Sequence, residues 1–461
     1  MPLTRTHRRI IFWIVVGAYT LCVPIVLLVA SGYRLDFNNY TYKKTGLLVV
    51  DVLPQDVTIQ LNNLPAPSIL RDHKRVVSYL TGGRYTLNIS QEGFYSWQAP
   101  IAIIEGQATI ISNLVLLPKG PPTLLTKEQF SFLRSSPSGE LVVGVRANQP
   151  KTLWIISNDG TQTQIAGLPD GAIEDISFSS SEDAILASIK QHLGTQWFII
   201  PVHENTAIAT PLIVPSSIGE VQQVRWDPWS SKKLLVLAQK HLWYFNATTN
   251  RLEPFEDQHI VTSFSSVRRT LYYTTSDNNT FNIMEQSQFG RPTQVWTLPK
   301  EVTNLQAIDD QMMLVWIKEN NHINTIVLQN TSGVWQQHPF FASAHTIIKR
   351  NNDYIASGPW GLRYNDTTSA ATTAMTDAIR SAQTMTSSSL PVIAFQPDAQ
   401  RLSILVLSSP QRSTPTPIIH SSTPITWTMI DDSTLMVSAT INNQPGLYVL
   451  ELDPRKNANR S

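Results

Sequence analysis

The feature that most limits what this chain can fold into is a unit that returns roughly every 40 residues from Phe130 onward. Each unit is an apolar strand, a polar turn and a second apolar strand. FSFLRSSPSGELVVGVRA begins at Phe130, DISFSSSEDAILASI at Asp175, QVRWDPWSSKKLLVLAQ at Gln223 and VTSFSSVRRTLYYTT at Val261. VTNLQAIDDQMMLVWIK follows at Val302, HTIIKRNNDYIASG at His345, PVIAFQPDAQRLSILVLSS at Pro391 and ITWTMIDDSTLMVSATI at Ile425. A third strand succeeds most units, as in TLWIISND, HLWYFNATTN and GLYVLELD, and a fourth polar strand fits before the next. The alternation has the two-residue period of β-structure, and no long amphipathic helix interrupts it. Four strands per unit at this spacing predict the blades of a propeller, where closing the ring leaves only short edges. The eight units leave seven or eight blades open, because the seventh has a weak third strand. PTLLT at 122–126 precedes the first unit and is placed to close the ring against the last.

Ser136-Pro137-Ser138-Gly139 followed by LVVGV, and LWIISNDG at 153–160, resemble the TolB-like, WD-related propellers. Later units keep only part of that turn, as at Ser179-Ser180-Ser181-Glu182 and Gln396-Pro397-Asp398-Ala399. Two stretches break the pattern: the Thr/Ser/Ala-rich 367–389 and the Pro/Ser/Thr-rich 408–417. Both read as loops, the first with room for a short helix around 375–381.

Ahead of the repeats, residues 10–30 form an uncharged apolar run, IIFWIVVGAYTLCVPIVLLVA. As a helix it spans about 31 Å, the thickness of a bilayer's hydrocarbon core. Arg5, His7, Arg8 and Arg9 precede it, which predicts a cytoplasmic amino terminus and extracytoplasmic domains. A cleaved signal peptide is the competing reading, with Ala30-Ser31-Gly32 as the cleavage site, but the run exceeds a usual h-region. The segment is therefore read as an uncleaved anchor.

Short strands begin at 45. GLLVVDVLP (46–54), VTIQLNN (57–63), GGRYTLNI (82–89), EGFYSW (92–97) and EGQATIISNLVLLP (105–118) alternate apolar and polar residues between Gly-marked turns. Together they resemble the PEGA family, small β-sandwich modules of exported proteins. The resemblance implies binding or spacing near a cell surface, without catalysis. Gln55-Asp56 departs from the family's Glu-Gly-Ala, and LPAPSILRDHK (64–74) is a longer, more polar connection than usual. The expected layout is thus a tail (1–9), a transmembrane helix (10–32), a PEGA-like sandwich (45–118), a PKGPP-derived linker (119–122), a propeller (123–454) and a polar tail (455–461). The fold class is all-β with one amino-terminal transmembrane helix.

Charged residues are 15% of the chain and the formal net charge is +1, which argues against nucleic acid as a partner. Cys22 is the single cysteine, so no intrachain disulfide exists. No G-x-S-x-G, Walker A or H-E-x-x-H motif occurs, and the histidines form no ligand pair. No cofactor or metal is expected. The acid pairs Glu182-Asp183, Asp309-Asp310 and Asp431-Asp432 fall between the two strands of a unit, where solvated turn carboxylates are expected. Trp226, Trp229, Trp360 and Tyr364 are the candidate binding residues of the propeller, with Tyr95 and Trp97 in the sandwich, since aromatics anchor interfaces. The function expected is a membrane-anchored scaffold of a bacterial envelope that docks a protein or a cell-wall polymer and has no catalytic role. Two alternatives are a propeller enzyme acting on cell-wall glycan or peptide, and a subunit of a larger envelope assembly.

Overall fold

A computed structural model describes the chain apart from residues 1–4, 31, 37–40, 193, 203–206, 256–258, 278–279, 320–321, 339–340, 342, 345, 351–352, 359–360, 366–371, 375–380, 385–391, 407–415, 432 and 454–461. It divides into two compact units, one centred on residues before Pro121 and one on the repeats.

The first unit opens with a helix, Arg5–Ala30, which contains Pro24. Its segment Ile11–Leu28 has a mean hydropathy of 2.4 and is not buried by any other part of the protein. Within that apolar surface the Thr20 hydroxyl donates to the Val16 carbonyl at 2.8 Å, which satisfies it inside the helix.

Sheet structure begins earlier than the alternation predicts. Tyr33–Asp36 pairs antiparallel with a long strand, Thr41–Leu53, which then pairs with Lys74–Thr81 and, in parallel, with Ala108–Val115. Ile69–Arg71 is the far edge of this sheet. The second sheet orders Leu64–Pro65, Thr58–Leu61, Gly83–Ser90 and Trp97–Ile103. Along Trp97–Ile103 every second residue is buried, as period-2 packing requires. Leu48, Val50, Leu87, Ile89 and Ile111 make a core excluded from solvent. Gly46 is fixed by space: a Cβ there would meet Ile103 Cγ2 at 2.6 Å and the Ile104 carbonyl oxygen at 2.7 Å. The connection at 64–74 contributes both short edge strands.

The second unit is a β-propeller. Its sheets begin with the strands Phe130–Ser135, Ala172–Phe178, Val221–Asp227, Ile260–Val267, Glu301–Asp309, Thr346–Arg350, Ser381–Thr384 and Thr426–Met429. Eight such sheets follow one another among the described residues, each running first to fourth strand in chain order except the last, and the first adds a fifth strand, Ala207–Ile208, in parallel. In the last, the fourth place is taken by Thr123–Thr126, which pairs antiparallel with Gln444–Glu451. First strands of several adjacent sheets lie against one another, including Phe130–Ser135 against Thr426–Met429 and Ile260–Val267 against Glu301–Asp309.

The core lies between sheets. Val143, Leu153, Ile176 and Ile185 join the first to the second, and Leu235, Phe255, Phe264 and Tyr273 the third to the fourth. Phe130, Val142, Met436 and Leu447 join the first to the last. The second strands are accordingly buried on both faces. Leu234–Ala238 in the third sheet and Met312–Val315 in the fifth are apolar without alternation.

Three expectations change. Pro397-Asp398-Ala399 does not separate a first from a second strand; it joins the second, Val392–Asp398, to the third, Arg401–Val406. The first strand of that sheet, Ser381–Thr384, comes instead from the Thr/Ser/Ala-rich stretch read as a loop. Thr372–Ala374 from the same stretch is the fourth strand of the sixth sheet. The short helix expected around 375–381 falls largely outside the described residues, with Ser381 in a strand.

Candidate functional site

The ring has two faces. The hairpin face carries the turns between first and second strands; the leading face is where the chain enters each first strand.

On the hairpin face, the carboxylates at the ends of first strands hold their own turns. Asp227 accepts from the Trp229 amide at 3.1 Å, Asp309 from the Gln311 amide at 2.8 Å and Asp431 from the Ser433 amide at 2.7 Å. Neighbouring turns then bind one another. Glu182 of the second sheet accepts from the Ser138 amide and hydroxyl of the first, each at 2.7 Å. Burial opposes charge on Glu182, but the Ser138 hydroxyl and amide outweigh it and hold the carboxyl below its ordinary range. Arg268 of the fourth sheet pairs with Asp310 of the fifth at 2.9 Å. Gly139, at φ +76°, lies where a Cβ would overlap the Ile430 carbonyl of the last sheet.

Of the acid pairs, Asp309 departs from a solvated turn residue, while Asp183 and Asp431 are exposed. Asp309 closes the first strand of its sheet, is 3% exposed and accepts from the Tyr354 hydroxyl at 3.0 Å. Asp227, outside the pairs, is also buried; desolvation raises its pKa, with the Trp229 amide and Lys233 opposing. Asp432 lies outside the described residues.

The candidate aromatics do not converge. Trp226 is buried among Leu186, Val224 and Phe245, and its Nε1 donates to the Ser177 carbonyl of the preceding sheet at 3.2 Å. It is a joint between two sheets, because it packs on and donates to the preceding one. Trp229 is half-buried on the hairpin face; its Nε1 donates to the Arg269 carbonyl at 2.8 Å. Trp97 is 5% exposed in the sandwich core, so it offers no binding surface. Tyr95 is half-buried, with Lys119 Nζ 5.9 Å from its ring centroid. Trp360 lies outside the described residues; Tyr364 is in the strand Gly361–Asn365, and its side chain is likewise outside them.

The leading face holds what the sequence reading missed. A cleft of about 720 Å³ spans the third, fourth and fifth sheets, within the range of small-ligand sites. Gln222 and Arg225 line it from Val221–Asp227, Thr262 from the next first strand, and Glu301 and Asn304 from the one after. Trp316 and Ile323, the latter 65% exposed, form its apolar side, and Lys240 stands in the turn beside it. The available signal was Arg225 itself: a charge between the buried Val224 and Trp226 in a first strand lies on the opposite face of the sheet from them. Among the described residues no group of three or more His, Cys, Asp or Glu is placed to hold a metal ion.

No protein-family profile matches the chain, and no curated protein sequence matches it either. Solved structures with a similar fold include dipeptidyl peptidase 4 of Porphyromonas gingivalis, at 10% identity and TM-score 0.46, covering 73% of this chain and 61% of that one. The Cps50 (Swd1) β-propeller domain of Myceliophteria thermophila is 10% identical with TM-score 0.39, covering 70% of this chain and 97% of its own. A putative TolB from Agrobacterium tumefaciens is 11% identical with TM-score 0.31, covering 46% and 80%. These likenesses are distant, and nothing about activity or partners follows from them.

Proposed function

We infer that the chain is a single-pass, membrane-anchored binding protein of a bacterial cell envelope, with a cytoplasmic amino end. A PEGA-like sandwich and an eight-bladed, TolB-like propeller lie outside, and the propeller is a non-catalytic docking platform for an envelope protein or a cell-wall polymer. The observation that carries the docking reading is the leading-face cleft, which combines exposed apolar and polar groups across three sheets. The hairpin face, by contrast, spends its charged and aromatic side chains on contacts between its own turns. The anchor reading rests on the uncharged run from Ile10 and the arginines in the helix's first turns.

Photocrosslinking in intact cells tests this. Benzoylphenylalanine at Ile323 in the cleft should give discrete adducts. The same group at Val334, 67% exposed on a fourth strand, should give none. Equal labelling from both positions, or none from either, overturns the platform. Protease added to spheroplasts should remove the propeller and leave a small membrane-bound fragment; full protection reverses the topology, and a soluble form beginning near Tyr33 means cleavage.

A further inference from the structure

Arg225 is a positive charge without a counter-charge of its own. It projects from Val221–Asp227 into the cleft, between two buried neighbours, and no hydrogen bond or ion pair holds its guanidinium among the described residues. The carboxylate that acts on it is Asp175, on the preceding first strand. Asp175 already accepts from Arg134 at 2.5 Å, and the adjacent Glu174 faces Lys190 at 3.7 Å. Two guanidinium groups thus share one carboxylate. The Arg225 side chain is exposed in the cleft, and Asp175 is the carboxylate that acts on it. An exposed guanidinium of this kind pairs with an anion that brings its own hydrogen-bond acceptors.

The rest of the cleft narrows the class of anion. Asn304 commits Oδ1 to the Leu305 amide at 2.9 Å and the Ser263 hydroxyl at 3.3 Å, leaving its amide nitrogen as a donor. Lys240 adds a cation and Glu301 an anion, so the lining carries one surplus positive charge, which suits a monoanion. Trp316 and Ile323 offer an apolar surface beside these donors. An alternating acidic and apolar chain matches this pairing of a planar donor fork with an exposed apolar wall.

We propose that Arg225 anchors a carboxylate of an acidic, extended peptide segment in the leading-face cleft, with an apolar neighbour of that carboxylate lying on Trp316 and Ile323. The proposal rests on the docking reading above and names its ligand class.

The test uses the full chain in lipid nanodiscs and three fluorescein-labelled hexapeptides of alternating Leu-Glu, Leu-Gln and Leu-Lys, read by anisotropy. The Leu-Glu peptide should bind at least about tenfold more tightly than Leu-Gln. Arg225→Gln should abolish that preference, Arg225→Lys should weaken binding yet keep it, and Arg225→Glu should shift preference to Leu-Lys. Melting of each variant is measured alongside; the conservative Arg225→Lys keeps the test valid if Arg225→Gln melts early. Equal binding of the acidic and neutral peptides, no binding of the acidic one, or an unchanged preference in Arg225→Gln overturns the proposal. Adducts from Ile323 that persist in that case leave the docking platform standing without this anchor. Loss of those adducts in the parent protein removes the platform itself.

Discussion

Tyr354, in the second strand of the sixth sheet, donates its hydroxyl to Asp309 Oδ2 at 3.0 Å, at the end of the first strand of the fifth. Both side chains are buried, and the contact ties two sheets across 45 residues of sequence. Asp309→Ala should therefore destabilise the propeller by about 1–3 kcal/mol, the cost of stranding buried donors. Asp310→Asn breaks only a partly exposed pair with Arg268 and should stay within about 0.5 kcal/mol. Urea melts of the two variants separate these outcomes, and equal losses would contradict the burial of Asp309.

Trp226 and Trp229 stand three residues apart and should respond differently. Trp226→Ala empties a joint between the second and third sheets, at about 3–5 kcal/mol. Trp229→Phe keeps the ring but loses the bond to the Arg269 carbonyl, at about 0.5–1.5 kcal/mol. Thermal melting with near-ultraviolet circular dichroism is the measurement.

Acid should destabilise the propeller through His338. Burial lowers its pKa from 6.5, and its ring stacks on Phe341 at 4.5 Å. The unfolded state then binds more protons between the folded and unfolded pKa values, so this contribution is complete above about 6.5 and is lost as pH falls through that window. His338→Phe should flatten the melting profile between pH 7.5 and 5. An unchanged slope would assign the acid sensitivity elsewhere.

Asp227 carries the opposite sign. Its pKa is raised from 3.8 by burial, so the folded state binds the proton more tightly, and its contribution declines as pH rises from that value through the folded pKa. Asp227→Asn keeps an acceptor for the Trp229 amide and removes the buried charge. The variant should melt higher than the parent at pH 7, and the difference should vanish on acidification below pH 3.8. A variant that melts lower at pH 7 would mean that Lys233 more than offsets desolvation.

A chain beginning at Pro121 should fold with one cooperative transition, because the second compact unit starts there. One beginning at Lys127 lacks Thr123–Thr126 and leaves Gln444–Glu451 as an open edge. It should melt lower and aggregate on heating. Identical melts would show that the pairing adds nothing.

The repeats were legible because burial between sheets demands apolar second strands, and LLVLA at 234–238 or LMVSA at 435–439 cannot serve another purpose. Ser381–Thr384 was not, because the four residues Ser-Ala-Gln-Thr carry no apolar pattern and are recognised only by pairing with Val392–Asp398. The three acid pairs look alike in sequence. Only the position of Tyr354 makes Asp309 a buried group, and no local spacing records that. Arg225 is a similar case: its isolation is visible only once Asp175 is seen to be engaged by Arg134.

The seam between the last sheet and the first also sets the order of assembly. The Phe130 amide donates to Ser438 Oγ over 308 residues, and Thr123–Thr126 waits for the last strand of the ring, Gln444–Glu451. Nearest-neighbour sheets can condense as they emerge, but this closure has the longest loop in the unit and the largest entropic cost of contact. Until Gln444–Glu451 is made, the propeller is an open arc with a bare flank at each end. A translation stall or clip ahead of Gln444 leaves the newest strands incomplete and releases the oldest one as well, making damage at the carboxyl end unfold the amino end of the ring.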